Sequence, residues 1–139
     1  MSSLPTILIA ASALLILTLG TLHLVFTYRG PAFHPRDPAL MTAMQADSPR
    51  ISRGTTMWRA SIGFHASHSL GAMTFGTVYA YLALEGSGFL FKAPFLLTVG
   101  MVILCAYLFL AKRYWFKAPL RGIALATALY AAGLLALIQ

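Results

Sequence analysis

The chain has 139 residues, of which 59% are hydrophobic and only 9% are charged. A soluble domain normally carries about 25% charged residues, so this composition excludes an ordinary water-soluble fold and indicates an integral membrane protein. The net charge is +7, which in a membrane protein is explained by basic cytoplasmic loops rather than by binding to nucleic acid.

Long apolar stretches dominate the sequence. Four of them contain no Lys, Arg, Asp or Glu: Leu4–Tyr28, Ala60–Leu84, Ala93–Ala111 and Gly122–Gln139. A bilayer core needs about 20 apolar residues per helical crossing, and a helix satisfies its own backbone there. We therefore predict an all-α integral membrane protein, a single domain over 1–139 built as a four-transmembrane-helix bundle. Its helices are expected at about 4–28, 57–84, 93–111 and 118–138.

The first apolar stretch resembles a retained helix more than a signal peptide. No Lys or Arg precedes it, it exceeds the roughly 7–15 residues of a signal-peptide core, and no small-residue cleavage site follows it. We expect it to remain in the mature protein as the first transmembrane helix.

A further short helix is predicted in the long first loop. Asp37 is a suitable N-cap, and Pro38 suits the first helical position. The segment 38–46 then places three apolar side chains on one side, those of Leu40, Met41 and Met44. This pattern predicts a short amphipathic helix lying at the cytoplasmic interface.

The second apolar stretch carries two distinct faces. Gly63, Ser67 and Gly71 recur every four residues and form a stripe of small side chains, which predicts a close-packing seam against another helix. A polar and aromatic face lies roughly 100° round the helix. Its members are Ser61, His65, His68, Phe75 and Tyr79.

The third apolar stretch contains the only cysteine, Cys105. A lone cysteine excludes an intramolecular disulfide and a Cys-based metal motif. We expect Cys105 to be a small buried hydrophobic residue.

Basic residues predict the orientation of the helices. The first loop and the start of the next helix carry Arg29, Arg36, Arg50, Arg53 and Arg59. The third loop and the start of the fourth helix carry Lys112, Arg113, Lys117 and Arg121. Because Lys and Arg collect in cytoplasmic loops, loops one and three should be cytoplasmic and both termini should lie outside.

A polar layer is predicted in the cytoplasmic half of the membrane. With about 1.5 Å of rise per residue, His23, His65 and Tyr107 fall about 8–10 Å from the cytoplasmic boundary, and His68 falls about 15 Å from it. Arg59 and Arg121 stand at the mouth of this layer. Polar side chains in a bilayer usually face the protein interior, where they find partners.

The main hypothesis is a pocket for an amphipathic or anionic small molecule, lipid-like or quinone-like. Arg59 and Arg121 would hold a phosphate or carboxylate head, while His23, His65 and Tyr107 contact its polar part. His68 completes the set of candidate ligand-binding residues. A histidine can act as a general acid or base, but no nucleophile–base pair is legible, so an enzymatic activity stays open.

Several alternatives remain. The histidines could simply hydrogen-bond within the bundle, and the chain could be a structural or accessory subunit of a larger membrane complex, or a homo-oligomer. Haem b is a third reading, with His23 and His65 as axial ligands. A metal site would use His65 and His68 with His23 as a third ligand. The absence of Asp and Glu from the apolar stretches excludes a carboxylate-bridged di-iron site.

The segment Met57–Gly71, together with Gly20-Thr21-Leu22-His23-Leu24, resembles an uncharacterised family of small four-helix bacterial inner-membrane proteins. The resemblance covers nearly the whole chain and implies a multi-pass protein of the bacterial inner membrane, with no activity to carry over. That family often has Asn at the position of His65, which favours His68 and His23 as ligand-binding residues. The chain lacks the Asn and Glu of the second-helix element typical of membrane-associated eicosanoid and glutathione metabolism enzymes, so that match is excluded.

Overall fold

The computed structural model describes residues 4–138, and this part of the chain is helical without strands. Its α-helices are α1 (Leu4–Tyr28), α2 (Pro38–Ala46), α3 (Met57–Leu84), α4 (Pro94–Tyr114) and α5 (Lys117–Leu135), with a 3-10 turn at Leu90–Lys92. Within the described residues, three helices are long and apolar enough to cross a membrane: α1, α4 and α5. The predicted all-helical class is confirmed, and these helices have the character of membrane spans.

Helix α3 is long enough to cross but less apolar than the other three. Its 28 residues extend about 42 Å, more than the roughly 30 Å of a bilayer core. Its first half interleaves apolar residues with His65, Ser67, His68 and Ser69, and this polar content lowers its mean hydropathy. The place of α3 as a fourth transmembrane helix stays a prediction.

The observed helix ends show which termination signals matter. Helices α1 and α3 begin and end where the sequence predicted, whereas α4 continues past Ala111 to Tyr114. Lys112 and Arg113 lie in its last turn, where basic side chains complement the negative end of the helix dipole rather than stop the helix. Helix α5 ends at Leu135, short of the predicted 138, because the chain then tightens into i→i+3 hydrogen bonds.

Helix α2 begins as the sequence predicted. The Asp37 carboxylate accepts a hydrogen bond from the Ala39 N–H at 2.9 Å, and Pro38 occupies the first turn. Met41 and Met44 are half-buried, whereas Leu40 is exposed. The location of α2 at a membrane interface stays a prediction.

The chain divides into two compact units, and α1 and α3 each contribute to both. The first unit contains the chain through Leu19 and from Ala72 onward, and the second contains Gly20–Gly71. The single domain over residues 1–139 stays a prediction.

The first unit packs through close contacts at small residues. The fully buried Ser12 of α1 donates its hydroxyl to the Ala126 carbonyl of α5 at 2.7 Å. A β-carbon added at Gly76 of α3 would lie 2.6 Å from the β-carbon of Leu17 in α1. Glycine and serine therefore allow α1 to approach α3 and α5 closely, as in many membrane helix pairs.

Two tyrosines attach helices α3 and α5 to α4. The Tyr79 hydroxyl donates to the Leu96 carbonyl at 2.7 Å, and the Tyr130 hydroxyl donates to the Leu97 carbonyl at 3.1 Å. Both rings lie against Gly100, where any side chain would collide with them. A buried phenol needs such a partner, so the pairing satisfies both hydroxyls inside an apolar core.

The predicted packing seam at Gly63, Ser67 and Gly71 is wrong for contacts within this chain, because all three residues are exposed. A β-carbon at Gly63 would meet nothing within 4 Å. The close approach occurs instead at Gly76, which lies roughly 220° round the helix from Gly63 at 100° per residue. The periodic stripe is real in the sequence, but it faces away from the core.

The predicted burial of Cys105 is also wrong, because this cysteine is exposed. The buried positions of α4 are Gly100, Leu104 and Ala111. Cys105 follows Leu104 and therefore points about 100° away from the buried side of the helix.

Candidate functional site: a histidine cluster

The second unit holds the candidate site on the end of α1 and the start of α3. His23 lies near the C-terminal end of α1, and His65 and His68 lie in the first half of α3. Residues three apart share one face of a helix, so His65 and His68 project to the same side. All four histidines of the chain lie in this unit, and three of them lie on just two helices.

The His23 ring contacts the rings of both His65 and His68. His23 Nε2 lies 3.2 Å from His65 Nδ1, within hydrogen-bonding distance. The ring centroids of His23 and His65 are 5.3 Å apart at 44°, and those of His23 and His68 are 5.3 Å apart at 78°, edge to face. In the His23–His65 pair one nitrogen donates and the other accepts, with the tautomers setting the direction. We call His23, His65 and His68 the histidine cluster.

The Phe33 ring lies against two members of the histidine cluster, His23 and His65. Its ring stacks on His65 with centroids 4.6 Å apart and planes at 15°, and it lies 4.6 Å from the His23 ring at 42°. Phe33 is half-buried and comes from the loop between α1 and α2. Sequence reasoning missed it, because a loop residue has no helical periodicity that would indicate its direction.

Buried hydroxyls next to the cluster are satisfied by the backbone. The Thr27 hydroxyl donates to the His23 carbonyl at 2.8 Å, and the Ser69 hydroxyl donates to the His65 carbonyl at 3.0 Å. Both residues are buried. This bonding to the carbonyl four residues earlier is the usual way for Ser and Thr to enter an apolar helix surface.

Two further polar residues of this unit lie outside the cluster. Arg59 is exposed in the first turn of α3, where its backbone N–H donates to the Thr56 hydroxyl at 3.3 Å. His34 is exposed, and its ring lies edge-on to Trp58 with centroids 4.9 Å apart. His34 therefore provides a natural comparison for the three clustered histidines.

The remaining predicted site residues belong to the first unit. Tyr107 is half-buried against the core of that unit, and Arg121 is exposed on α5. The structure thus brings together His23, His65 and His68, while a shared pocket with Tyr107 and Arg121 stays a prediction.

No carboxylate shares a helix with the cluster. The three acidic residues of the chain are Asp37 and Asp47, which flank α2, and Glu85, which follows α3. A proton added to the cluster therefore gains no compensating charge from α1 or α3.

The spacing of the rings bears on the histidine cluster as a metal site. Two imidazole nitrogens bound to one tetrahedral ion at about 2.0–2.1 Å each lie about 3.3 Å apart, so the 3.2 Å between His23 Nε2 and His65 Nδ1 does not by itself exclude a shared ion. Among the described residues, no group of three or more His, Cys, Asp or Glu side chains could hold a metal ion. Axial ligation of a haem iron by His23 and His65 would need the two rings to separate so that the porphyrin lies between them. This alternative stays a prediction.

Searches with the whole chain found no matching family model, no matching curated protein and no matching solved structure.

Proposed function

We propose that this chain is a small multi-pass membrane protein that binds an amphipathic small molecule at the histidine cluster. The observation that carries the proposal is the contact of the His23 ring with both His65 and His68, together with the Phe33 ring that lies against His23 and His65. Polar side chains are costly at membrane depth and usually have a role or a partner there. Three imidazoles on two helices therefore suggest a role in binding.

The chemistry of the cluster suits the polar end of such a molecule. Neutral imidazole offers one donor and one acceptor, so the cluster can hydrogen-bond to carbonyl and hydroxyl groups alike. The Phe33 ring adds an apolar surface beside these polar edges. Binding sites for small molecules typically combine a mainly apolar lining with a few convergent polar groups.

The proposed setting is a bacterial inner membrane crossed by α1, α3, α4 and α5. In this arrangement both termini lie outside, α2 rests at the cytoplasmic interface, and the cluster lies in the cytoplasmic half. The support is the distribution of basic residues, since the first and third loops carry nearly all of them. Within the first loop, Arg29, Arg36, Arg50 and Arg53 are all exposed.

An anionic ligand is the alternative to an uncharged one, and Arg59 and Arg121 are then proposed to hold its head, with Tyr107 contributing a hydroxyl. Arg59 is supported by its exposure and by its place on the same helix as His65 and His68. The contribution of Arg121 and Tyr107 rests on their predicted depth in the membrane.

A second candidate function is that of an accessory subunit in a larger membrane complex. One observation favours it, since the small-residue stripe of Gly63, Ser67 and Gly71 is exposed on α3. Such stripes commonly seat a neighbouring helix in lipid. A helix of another subunit, or of a second copy of this chain, would then cover the stripe.

Native mass spectrometry of the protein released from mild detergent tests the first candidate. We expect a persistent adduct of small-molecule mass on the single chain. A bare chain in every preparation contradicts the ligand-binding proposal, and co-purification of a stoichiometric second polypeptide supports the accessory-subunit alternative.

A further inference from the structure

Phe33 differs from the histidines it contacts in its backbone structure. The histidines lie on α1 and α3, whereas Phe33 lies in the irregular segment 29–37. A single turn orders the middle of this segment, with the His34 N–H donating to the Pro31 carbonyl at 3.0 Å. Gly30 adopts φ +81°, a left-handed conformation that favours glycine and reverses the chain after the helix.

This arrangement lets the Phe33 ring leave the cluster without unfolding a helix. Pro31 and Pro35 have no N–H to donate, so the segment depends little on backbone hydrogen bonds. The Phe33 ring stacks on His65 and lies tilted against His23, with its centroid 4.6 Å from each imidazole centroid. If the segment moves, the Phe33 ring leaves His65, and another group can stack on His65 in its place.

We infer that Phe33 occupies the position of a planar ring of the ligand, and that the ligand is a quinone-like molecule with an uncharged flat head. This inference rests on the proposed binding function and names the ligand class for the same site. The head stacks on His65 in place of Phe33, and its ring oxygens hydrogen-bond to imidazole nitrogens of the cluster.

The geometry at His65 favours a flat ring over an anionic head. The Phe33 and His65 planes are inclined by only 15° at 4.6 Å, which is an offset-stacked contact between two ring faces. A phosphate or carboxylate has no ring face to place there, and it would bind at imidazole edges instead. A flat head group restores the stacked contact that departure of Phe33 removes.

Hydrogen bonding at the ring edges also matches this class. His23 and His65 bond to each other, with one donor and one acceptor. A quinol hydroxyl both donates and accepts, so it can replace both sides of that bond, whereas a quinone carbonyl only accepts and replaces the partner of the donating N–H. No net charge has to enter the cluster, which matters because no carboxylate lies on α1 or α3.

If Phe33 competes with the ligand, its removal strengthens binding. The apparent dissociation constant rises in inverse proportion to the fraction of protein whose site is open. The stacking contribution of one aromatic pair corresponds to about a 2- to 10-fold change in an equilibrium constant. Phe33→Ala and Phe33→Leu should therefore bind the ligand tighter by a factor of this order.

The test uses the full chain in nanodiscs of zwitterionic lipid and measures binding of a decyl-substituted benzoquinone by titration calorimetry. Both Phe33 variants should bind more tightly than the wild type. The matched control is Phe64→Ala, which removes a phenylalanine that is 80% exposed on α3 and should leave the affinity unchanged. Decanoate, with the same chain length and a carboxylate head, should bind weakly or not at all.

Three results overturn the inference. Weaker or unchanged quinone binding by Phe33→Ala and Phe33→Leu would show that Phe33 does not occupy the position of the ligand. Binding of decanoate in preference to the quinone would show that the ligand has an anionic head and not a flat ring. The proposed binding function would survive that result. Failure of both probes to bind any variant, together with a bare chain in native mass spectrometry, would overturn the inference and the proposed function together.

Discussion

His23 Nε2 lies 3.2 Å from His65 Nδ1, although 42 residues separate the two histidines in the sequence. The intervening chain includes the whole first loop and α2. The contact therefore joins the end of α1 to the first half of α3 within the second unit.

The first prediction is an energetic coupling between these two histidines. A half-buried hydrogen bond contributes about 0.5–1.5 kcal/mol to stability, and a double-mutant cycle isolates that contribution. The variants His23→Leu, His65→Leu and the double variant should show a coupling of about 1 kcal/mol in reversible unfolding from mixed micelles. Strictly additive losses would mean that the two rings are neighbours without an energetic link.

The second prediction concerns the glycines of α3. Gly76→Ala should destabilise the protein by about 1–3 kcal/mol, because overpacked cores cost this much and the new β-carbon would lie 2.6 Å from the Leu17 β-carbon. Gly63→Ala is the matched control on the same helix, with nothing within 4 Å of the added carbon. It should be neutral or slightly stabilising, since alanine is the better helix former.

Thermal unfolding of both variants in the same detergent measures this difference. A larger loss for Gly63→Ala than for Gly76→Ala would contradict the packing of the first unit. It would also restore the small-residue stripe as the main seam of the protein.

The glycines also show what the sequence can and cannot predict. The bounds of α1 and α3 and the cap of α2 follow from local signals: long apolar runs, and Asp37 ahead of Pro38. Local signals do not predict which face of α3 packs against the other helices. Gly63 and Gly76 are equally small, and only the neighbouring helix distinguishes them. That choice is a tertiary property, and an exposed stripe has the same periodicity as a buried one.

The candidate site likewise has parts that the sequence predicts and parts that it does not. Helical rise alone placed His23 and His65 at similar depth, and the structure brings them into contact. Helical rise could not predict the contact of Phe33 with these histidines, because the path of a loop depends on its turns rather than on a repeat. The sequence likewise grouped Tyr107 and Arg121 with the histidines by depth, and depth carries no information on which helices face each other.

The third prediction uses Glu85, which lies just outside α3. Its carboxylate accepts from the Ser87 hydroxyl at 2.7 Å, the Ser87 N–H at 2.8 Å and the Phe89 N–H at 2.8 Å. These hydrogen bonds, above all those from Ser87, lower the pKa of Glu85 below its ordinary value. The turn between α3 and α4 is thus stabilised by the ionised form.

Because the folded pKa of Glu85 is lowered, this stabilisation is fully present above the unfolded pKa of about 4.3 and is lost as pH falls through the folded pKa. Glu85→Gln should therefore have a lower Tm than the wild type at pH 7. The difference should shrink in acid below that unfolded value. A Tm difference that is constant with pH would show that ionised Glu85 does not stabilise the turn.

The fourth prediction concerns orientation in the membrane. Basic residues are concentrated in the first and third loops, so a reporter fused after Gln139 should be active outside the cytoplasm. A second reporter inserted in the first loop, next to the exposed Arg53, should be active inside it. The reverse pattern would move the histidine cluster to the outer half of the membrane.

The most direct test of the central claim compares the clustered histidines with His34. Glutamine keeps a donor and an acceptor but not the imidazole ring, so His65→Gln and His68→Gln should fold with a Tm close to that of the wild type. In native mass spectrometry both variants should lose the bound small molecule, whereas His34→Gln, outside the cluster, should retain it. Retention of the same adduct by all three variants would contradict a ligand site at the histidine cluster.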